Sequence, residues 1–205
     1  MARKTKEDAE KTRQNILDGA FDLFSIKGFT RTTLHEIAAV AGVTRGAIYW
    51  HFRDKVDLFM ALWKEIHASA GVRSEDLRLD RVESLEDCKH EIMKYLEHFE
   101  INDRYAVFWD IVRHRTEYTE ELEPVMERQR AEQKEILDGM TLMFARLKSH
   151  GRLRADVEPA HAALSIAAIV TGIIEIWLRD REAFPLSQTV FHMIDHVLRG
   201  MGTDD

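Results

Sequence analysis

Thr44, Arg45, Tyr49, His51 and Lys55 place a hydroxyl, a guanidinium, a phenol, an imidazole and an ammonium close together in the stretch TLHEIAAVAGVTRGAIYWHFRDK, residues 33–55. What these groups share is hydrogen bonding to an anionic, acceptor-rich surface, and duplex DNA is such a surface. Arginine pairs bidentately with guanine O6 and N7, and a small methyl such as that of Ala47 can meet a thymine methyl. Hydroxyl, phenol, imidazole and ammonium groups suit phosphate oxygens. The expected DNA-contacting set is therefore Thr33, Thr44, Arg45, Gly46, Ala47, Tyr49, His51 and Lys55.

Two short helices would have to hold that set outward. Leu34, Ile37, Ala38 and Ala41 recur at the one-face spacing of an amphipathic helix, and Thr33 with Glu36 makes a capping box at its start. Gly42 suits a left-handed residue after the last turn, and Thr44 can cap a second helix from Arg45 to about Trp50. Such a helix is too short to stand alone, so neighbours must support it. At 100° per residue Arg45, Gly46 and Tyr49 share one side while Ile48 points the other way, towards Ile37 and Val43. Gly46 forfeits about 1 kcal/mol against Ala, a cost that makes sense if the backbone must approach another surface. The competing reading is a helical hairpin in which Gly46 only permits tight internal packing.

The stretch, with ARKTKEDAEKTRQNILDGAFDLFSIKGFTRTT before it, resembles the DNA-binding domain of TetR-family transcriptional regulators, and within them the AcrR-, TtgR- and MtrR-like group of multidrug-efflux repressors. The match covers about the first 65 residues, with TRGAIYWHF, Lys55 and Leu58-Phe59 carrying it. The resemblance implies an all-α chain of about nine helices. A three-helix, helix-turn-helix DNA-binding head (1–53) would precede a helical ligand-binding and dimerisation body (54–205). It also implies a palindromic operator, a homodimer, and release from DNA when a hydrophobic small molecule binds.

The remainder of the chain reads as helix after helix. From about Asp8 to Lys27 an apolar stripe of Ile16, Leu17, Ala20, Phe21, Leu23 and Phe24 is expected to close at Gly28, after a basic arm at 1–6. Asp54 caps a helix to about Ser69, a charged loop follows from Ala70 to Ser84, and Ser84 with Asp87 opens a helix to about Phe99. Asn102 or Asp103 starts another to about Arg115, Thr119–Pro124 turns into a long helix ending near Ser149, and Gly151 stops it. The run after Pro159, AHAALSIAAIVTGIIEIWL, is apolar nearly all round and is expected to be buried on most sides. Ser165, Thr171 and Glu175 argue against a membrane span. A last helix covers about Leu186 to Met201. Paired across a two-fold axis, these two terminal helices would make a four-helix bundle.

Charge divides along the chain. Residues 1–56 hold 10 Lys and Arg against 7 Asp and Glu, and the rest hold 19 against 29, so a basic head precedes an acidic body. That polarity favours phosphate facing the head. One cysteine, Cys88, and no apolar leader point to a reducing, cytoplasmic setting. No catalytic motif stands out and no cofactor is expected: His35-Glu36 lacks a second histidine at Ala39, and glycine-rich phosphate loops and GxSxG are absent. His192 and His196, four apart, read as surface or interface residues rather than metal ligands.

The body carries Trp63, Phe99, Tyr105, Phe108, Trp109, Met140, Met143, Phe144 and Trp177, a supply that suits either a plain core or an adaptable apolar pocket. The resemblance nominates Ile66, His67, Leu96, Trp109, Val112, His114, Met140, Val170, Thr171, Ile174 and Glu175 as ligand contacts, with His67 and Glu175 the polar ones. Other readings stay open: an architectural or cell-division DNA binder without an inducer, a TetR-like regulator of metabolic genes, or a helical enzyme or carrier.

Overall fold

Thr33 accepts the Glu36 amide while the Glu36 carboxylate accepts the Thr33 amide, and Ser84 and Asp87 repeat the same box farther along. These local signals divide the chain into nine α-helices among the residues that the computed structural model describes, 2–70, 78–117 and 119–203, with side chains from residue 6 onward. They are α1 (Ala2–Arg31), α2 (Leu34–Val40), α3 (Arg45–His51), α4 (Lys55–Ala70), α5 (Leu85–Ile101), α6 (Asp103–His114), α7 (Glu123–Ser149), α8 (Pro159–Arg179) and α9 (Leu186–Met201). The all-α expectation holds. Short 3-10 turns at Leu79–Arg81 and Glu120–Leu122 were not legible in the sequence, and part of the expected 70–84 loop lies outside the described residues.

The chain condenses into two units, one of residues 1–69 with 107–126 and one of 70–106 with 127–205. In the first, α1 packs on α2 and α3, with Ile16, Leu17, Ala20, Phe24, Ile37 and Ile48 fully buried. Phe24, Phe29 and Phe59 meet with ring centroids 5.2 to 5.5 Å apart. The cluster continues through Phe108 to Trp63 and Trp109. Gly28 interrupts the helical backbone as expected, at φ 79° and ψ 169°, and a short helical turn follows across the kink to Arg31. A Cβ at this position would stand 2.1 Å from the Arg115 carbonyl oxygen, so both the backbone angle and the close approach require glycine.

In the second unit α9 lies against α5 and α8, burying Leu186, Val190, Ile194 and Leu198. Lys89 is buried between the two elements that hold it: its ammonium donates to Glu86 on α5 and to Asp195 on α9, at 2.7 and 2.9 Å. Cys88 beside it is buried too, and desolvation pushes its thiol up to about 12, which leaves it protonated and unreactive. Helix α8 departs from expectation. Ala162, Ala163, Ile166, Ile173, Ile174, Trp177 and Leu178 are buried, but Leu164 and Ile176 are 55 % and 57 % exposed in the single chain. By length and composition α8 is the one described helix that could cross a membrane, yet its buried face is spent on packing with α9.

Candidate nucleic-acid interface

Helix α3 has seven residues, and its support comes from both ends and one face. Thr44 caps it, its hydroxyl accepting the Ala47 amide at 3.2 Å, and the Phe52 amide donates to the Ile48 carbonyl at the exit. Ile48 and Phe52 are buried, whereas Arg45, Gly46, Tyr49 and Trp50 are exposed. The turn before it uses Gly42 at φ 66°. Helix, left-handed glycine and second helix thus occur as the residue types require.

A Cβ on Gly46 would meet nothing nearer than the Thr44 hydroxyl at 3.8 Å. The hairpin alternative, in which Gly46 serves internal packing, therefore loses its reason. Arg45 reaches along the outer face to Tyr49, its terminal nitrogen donating to the phenol oxygen at 3.0 Å, with the guanidinium carbon 5.5 Å from the ring centroid. Trp50 is 72 % exposed, with its ring edge-to-face on His51 at 4.5 Å. Trp50 was missing from the sequence-derived set. Period-3.6 projection places it off the Arg45–Tyr49 side, and only the tertiary packing reveals the indole at the surface.

The other nominated residues differ in how freely they are presented. Thr33 is exposed, but its hydroxyl already donates to Glu36. Glu36 in turn accepts from Lys27 at 2.5 Å; that contact, with help from Thr33, lowers its carboxyl from 4.5 to about 2. Ala47 is half-buried. His51 is half-buried as well, and burial, reinforced by the Arg13 cation, lowers its pKa and favours the neutral ring. Lys55 is turned inward more than the sequence suggested. Its ammonium donates to the Phe29 and Thr32 carbonyls, both at 3.1 Å, and sits 4.2 Å from the Phe29 centroid. Burial lowers its pKa from the ordinary lysine value. Two of its three donors are spent on the α1–α2 junction, leaving one for an outside acceptor.

The pattern that residues 16–62 match is that of bacterial regulatory proteins of the tetR family, and residues 83–202 match the C-terminal region of the MAATS-type transcriptional repressors. The chain is 35 % identical over 193 residues to the regulator AcrR of Shigella flexneri, covering 92 % of this chain and 88 % of that one. It belongs to the TetR family. Within that family it is also 32 % identical to TtgR of Pseudomonas putida, over 95 % of this chain and 93 % of the relative. The crystal structure of NalD, described as the secondary repressor of the MexAB-OprM multidrug efflux pump in Pseudomonas aeruginosa, superposes with a TM-score of 0.83 at 32 % identity. It covers 96 % of this chain and 99 % of NalD. A complex of SmeT with triclosan matches at TM-score 0.78 and 28 % identity, covering 94 % and 92 %. As a TetR-family member the chain is a DNA-binding transcriptional regulator, not an enzyme.

The nominated ligand contacts fall in both units. In the first, Ile66 and Val112 are buried, and His67 stacks on Trp63 at 5.2 Å and lies 6.0 Å from Trp109. The His67 Nδ1 is 2.9 Å from the Trp63 carbonyl, and His114 Nδ1 is 2.8 Å from Asp110. In the second unit Leu96, Met140 and Ile174 are buried and Val170 is half-buried. Thr171 is exposed, and Glu175 is half-buried with Arg179 at 3.4 Å. Sequence reasoning passed over the Trp63 indole N–H, which is buried with no hydrogen-bond acceptor among the described residues. A shallow cleft of the first unit, lined by Arg53, Asp57, Met60, Glu121 and Pro124 among others, holds none of the nominated residues. His192 and His196 are exposed, with His196 Nδ1 2.6 Å from the His192 carbonyl.

Proposed function

We propose that this TetR-family protein is a homodimeric repressor of a multidrug efflux operon, bound to a palindromic operator through α3 and released by a hydrophobic small molecule. The observation that carries the DNA side is the outward display of Arg45, Gly46, Tyr49 and Trp50 on a helix anchored by Ile48. In this reading Arg45 and Ala47 meet base edges while Thr33, Thr44, Tyr49, His51 and the remaining Lys55 donor face phosphates. Two reading helices related by a two-fold axis would enter successive major-groove faces about 34 Å apart.

The α8 surface supports the dimer. Leu164, Ala168, Gly172 and Ile176 follow one another at four-residue steps, all exposed, and nothing lies within reach of a Cβ at Gly172. A second copy would cover that strip. Control of an efflux operon is supported by NalD and SmeT, each described as the repressor of a multidrug efflux pump. The ligand contacts proposed are Ile66, His67, Leu96, Trp109, Val112, His114, Met140, Val170, Thr171, Ile174 and Glu175. Trp63 joins them because its buried indole donor wants an acceptor, which a carbonyl, ether or phenol on the ligand would supply. A protein so placed would work in the cytoplasm, where the operator is.

Titration of the protein on its selected operator and on random duplex, at several salt concentrations, tests the DNA half. The ligand half is tested by adding triclosan. The expected results are preference for the operator, a rise in melting temperature with triclosan, and loss of the complex as triclosan rises. Equal affinity for both duplexes would overturn the first half. A stable complex that ignores bound triclosan would overturn the second.

A further inference from the structure

Arg45 and Tyr49 stand one turn apart on the outer face of α3, and they are joined before any DNA is present. The guanidinium donates to the phenol oxygen at 3.0 Å and lies over the ring, its carbon 5.5 Å from the centroid. Both residues are exposed, Tyr49 at 48 %, so neither contact is enforced by burial. We infer that Tyr49 is a specificity-determining positioning residue: its hydroxyl and ring hold the Arg45 guanidinium in the orientation that reads a base pair. The inference rests on the proposal that Arg45 reads the operator.

An arginine on an open helix face samples many rotamers, and bidentate pairing with guanine O6 and N7 needs one of them. A phenol four residues on removes part of that freedom in advance, because its oxygen accepts one N–H and its face attracts the cation. The fork keeps its remaining donors for the base. Accepting from Arg45 also leaves the phenol's own hydrogen free to point away from the guanidinium, towards a phosphate or a base acceptor. The backbone cooperates, since α3 is fixed at Thr44 and Phe52 and its Gly46 carries no side chain to crowd the pair. A Tyr49 that only touches phosphate would help every sequence alike, whereas a Tyr49 that aims Arg45 helps only the base pair that Arg45 reads.

The test uses the full-length protein and the operator that the wild-type chain selects from randomised duplexes, with single-base-pair variants of that operator and one random duplex. Tyr49→Phe keeps the ring and loses the acceptor. Operator affinity is expected to fall about threefold to tenfold more than random-duplex affinity, which loses only what the hydroxyl gives a phosphate, and the salt slope stays as it was. Discrimination should narrow at one base pair only, the one where Arg45→Ala also narrows it. In an Arg45→Ala background Tyr49→Phe should change operator and random duplex alike and leave the preference between them as it was. A Tyr49→Phe loss shared equally by operator and random duplex, or an equally selective loss with Arg45 absent, overturns the positioning role. If Arg45→Ala itself weakens operator and random duplex alike, base reading by Arg45 fails and the inference falls with it. A selective Arg45→Ala with an indifferent Tyr49→Phe overturns the inference alone.

Discussion

Helices α3 and α8 both leave side chains facing outward, but the two surfaces are of opposite kinds. On α3 they are Arg45, Tyr49 and Trp50, groups with donors and rings. On α8 they are Leu164, Ala168, Gly172 and Ile176, with almost nothing to hydrogen-bond. A polyanion rewards the first surface and a matching apolar face rewards the second, so exposure in a single chain has two different meanings here. The difference lies in which cost stays unpaid without a partner. Polar groups on α3 are solvated by water, which DNA would replace under the proposed function, whereas the α8 strip gives up hydrophobic stabilisation for as long as it is wet.

Placing a charge on the strip should break the contrast most sharply. Ile176→Glu would bury a carboxylate against its symmetry mate, and the pairing is expected to weaken by about 3 to 5 kcal/mol. Sedimentation should then find monomers at concentrations where the wild type is dimeric, with operator affinity lost as well. A variant that still sediments as the wild type does would show that the strip faces something other than a second copy. On the polar side Lys55→Ala acts twice. It removes two bonds to the α1–α2 junction, which should lower stability by about 1 to 3 kcal/mol, and it removes the proposed phosphate contact, which should flatten the salt slope by about 1. Unchanged melting would argue that the Phe29 and Thr32 contacts contribute nothing, and an unchanged slope would take Lys55 off the DNA.

The smallest effect concerns the frame behind α3. Contact with Lys27 and Thr33 holds the Glu36 carboxyl at about 2, below its ordinary 4.5. The stabilisation this gives is complete above pH 4.5 and is lost as the pH falls towards 2. Glu36→Gln should therefore destabilise at neutral pH yet converge with the wild type in acid. A constant difference across that window would remove the Glu36 carboxylate as the cause. Comparing the effect on the α3 surface with that on α8 would show whether the capping box serves only the reading helix.

Most of α2, α3 and the turn between them was legible because its signals are local. Thr33 with Glu36, Gly42, and Thr44 ahead of Arg45 each act within four residues, and the structure uses all of them as their chemistry predicts. The failures have a common cause. Gly28 was legible as a break in the helix, but the second reason for a glycine there was not. It is the Arg115 carbonyl, far away in sequence. Lys55 looked like a free cation because the carbonyls of Phe29 and Thr32 that hold it are invisible to a local reading. Trp63 was grouped with aromatics that suit either a core or a pocket. That its N–H lacks an acceptor among the described residues emerges only from the tertiary packing.

The order of amino acids alone determined the helices, their caps, the turn between α2 and α3 and the presence of an arginine and a tyrosine one turn apart, because helix formation and capping are settled by groups a few bonds away. Tertiary structure decided which of those side chains remain available. It joined Arg45 to Tyr49, drew Lys55 inward, left Trp50 outside and stripped one face of α8 of neighbours. Availability depends on what the rest of the chain brings alongside, and periodicity carries no record of that.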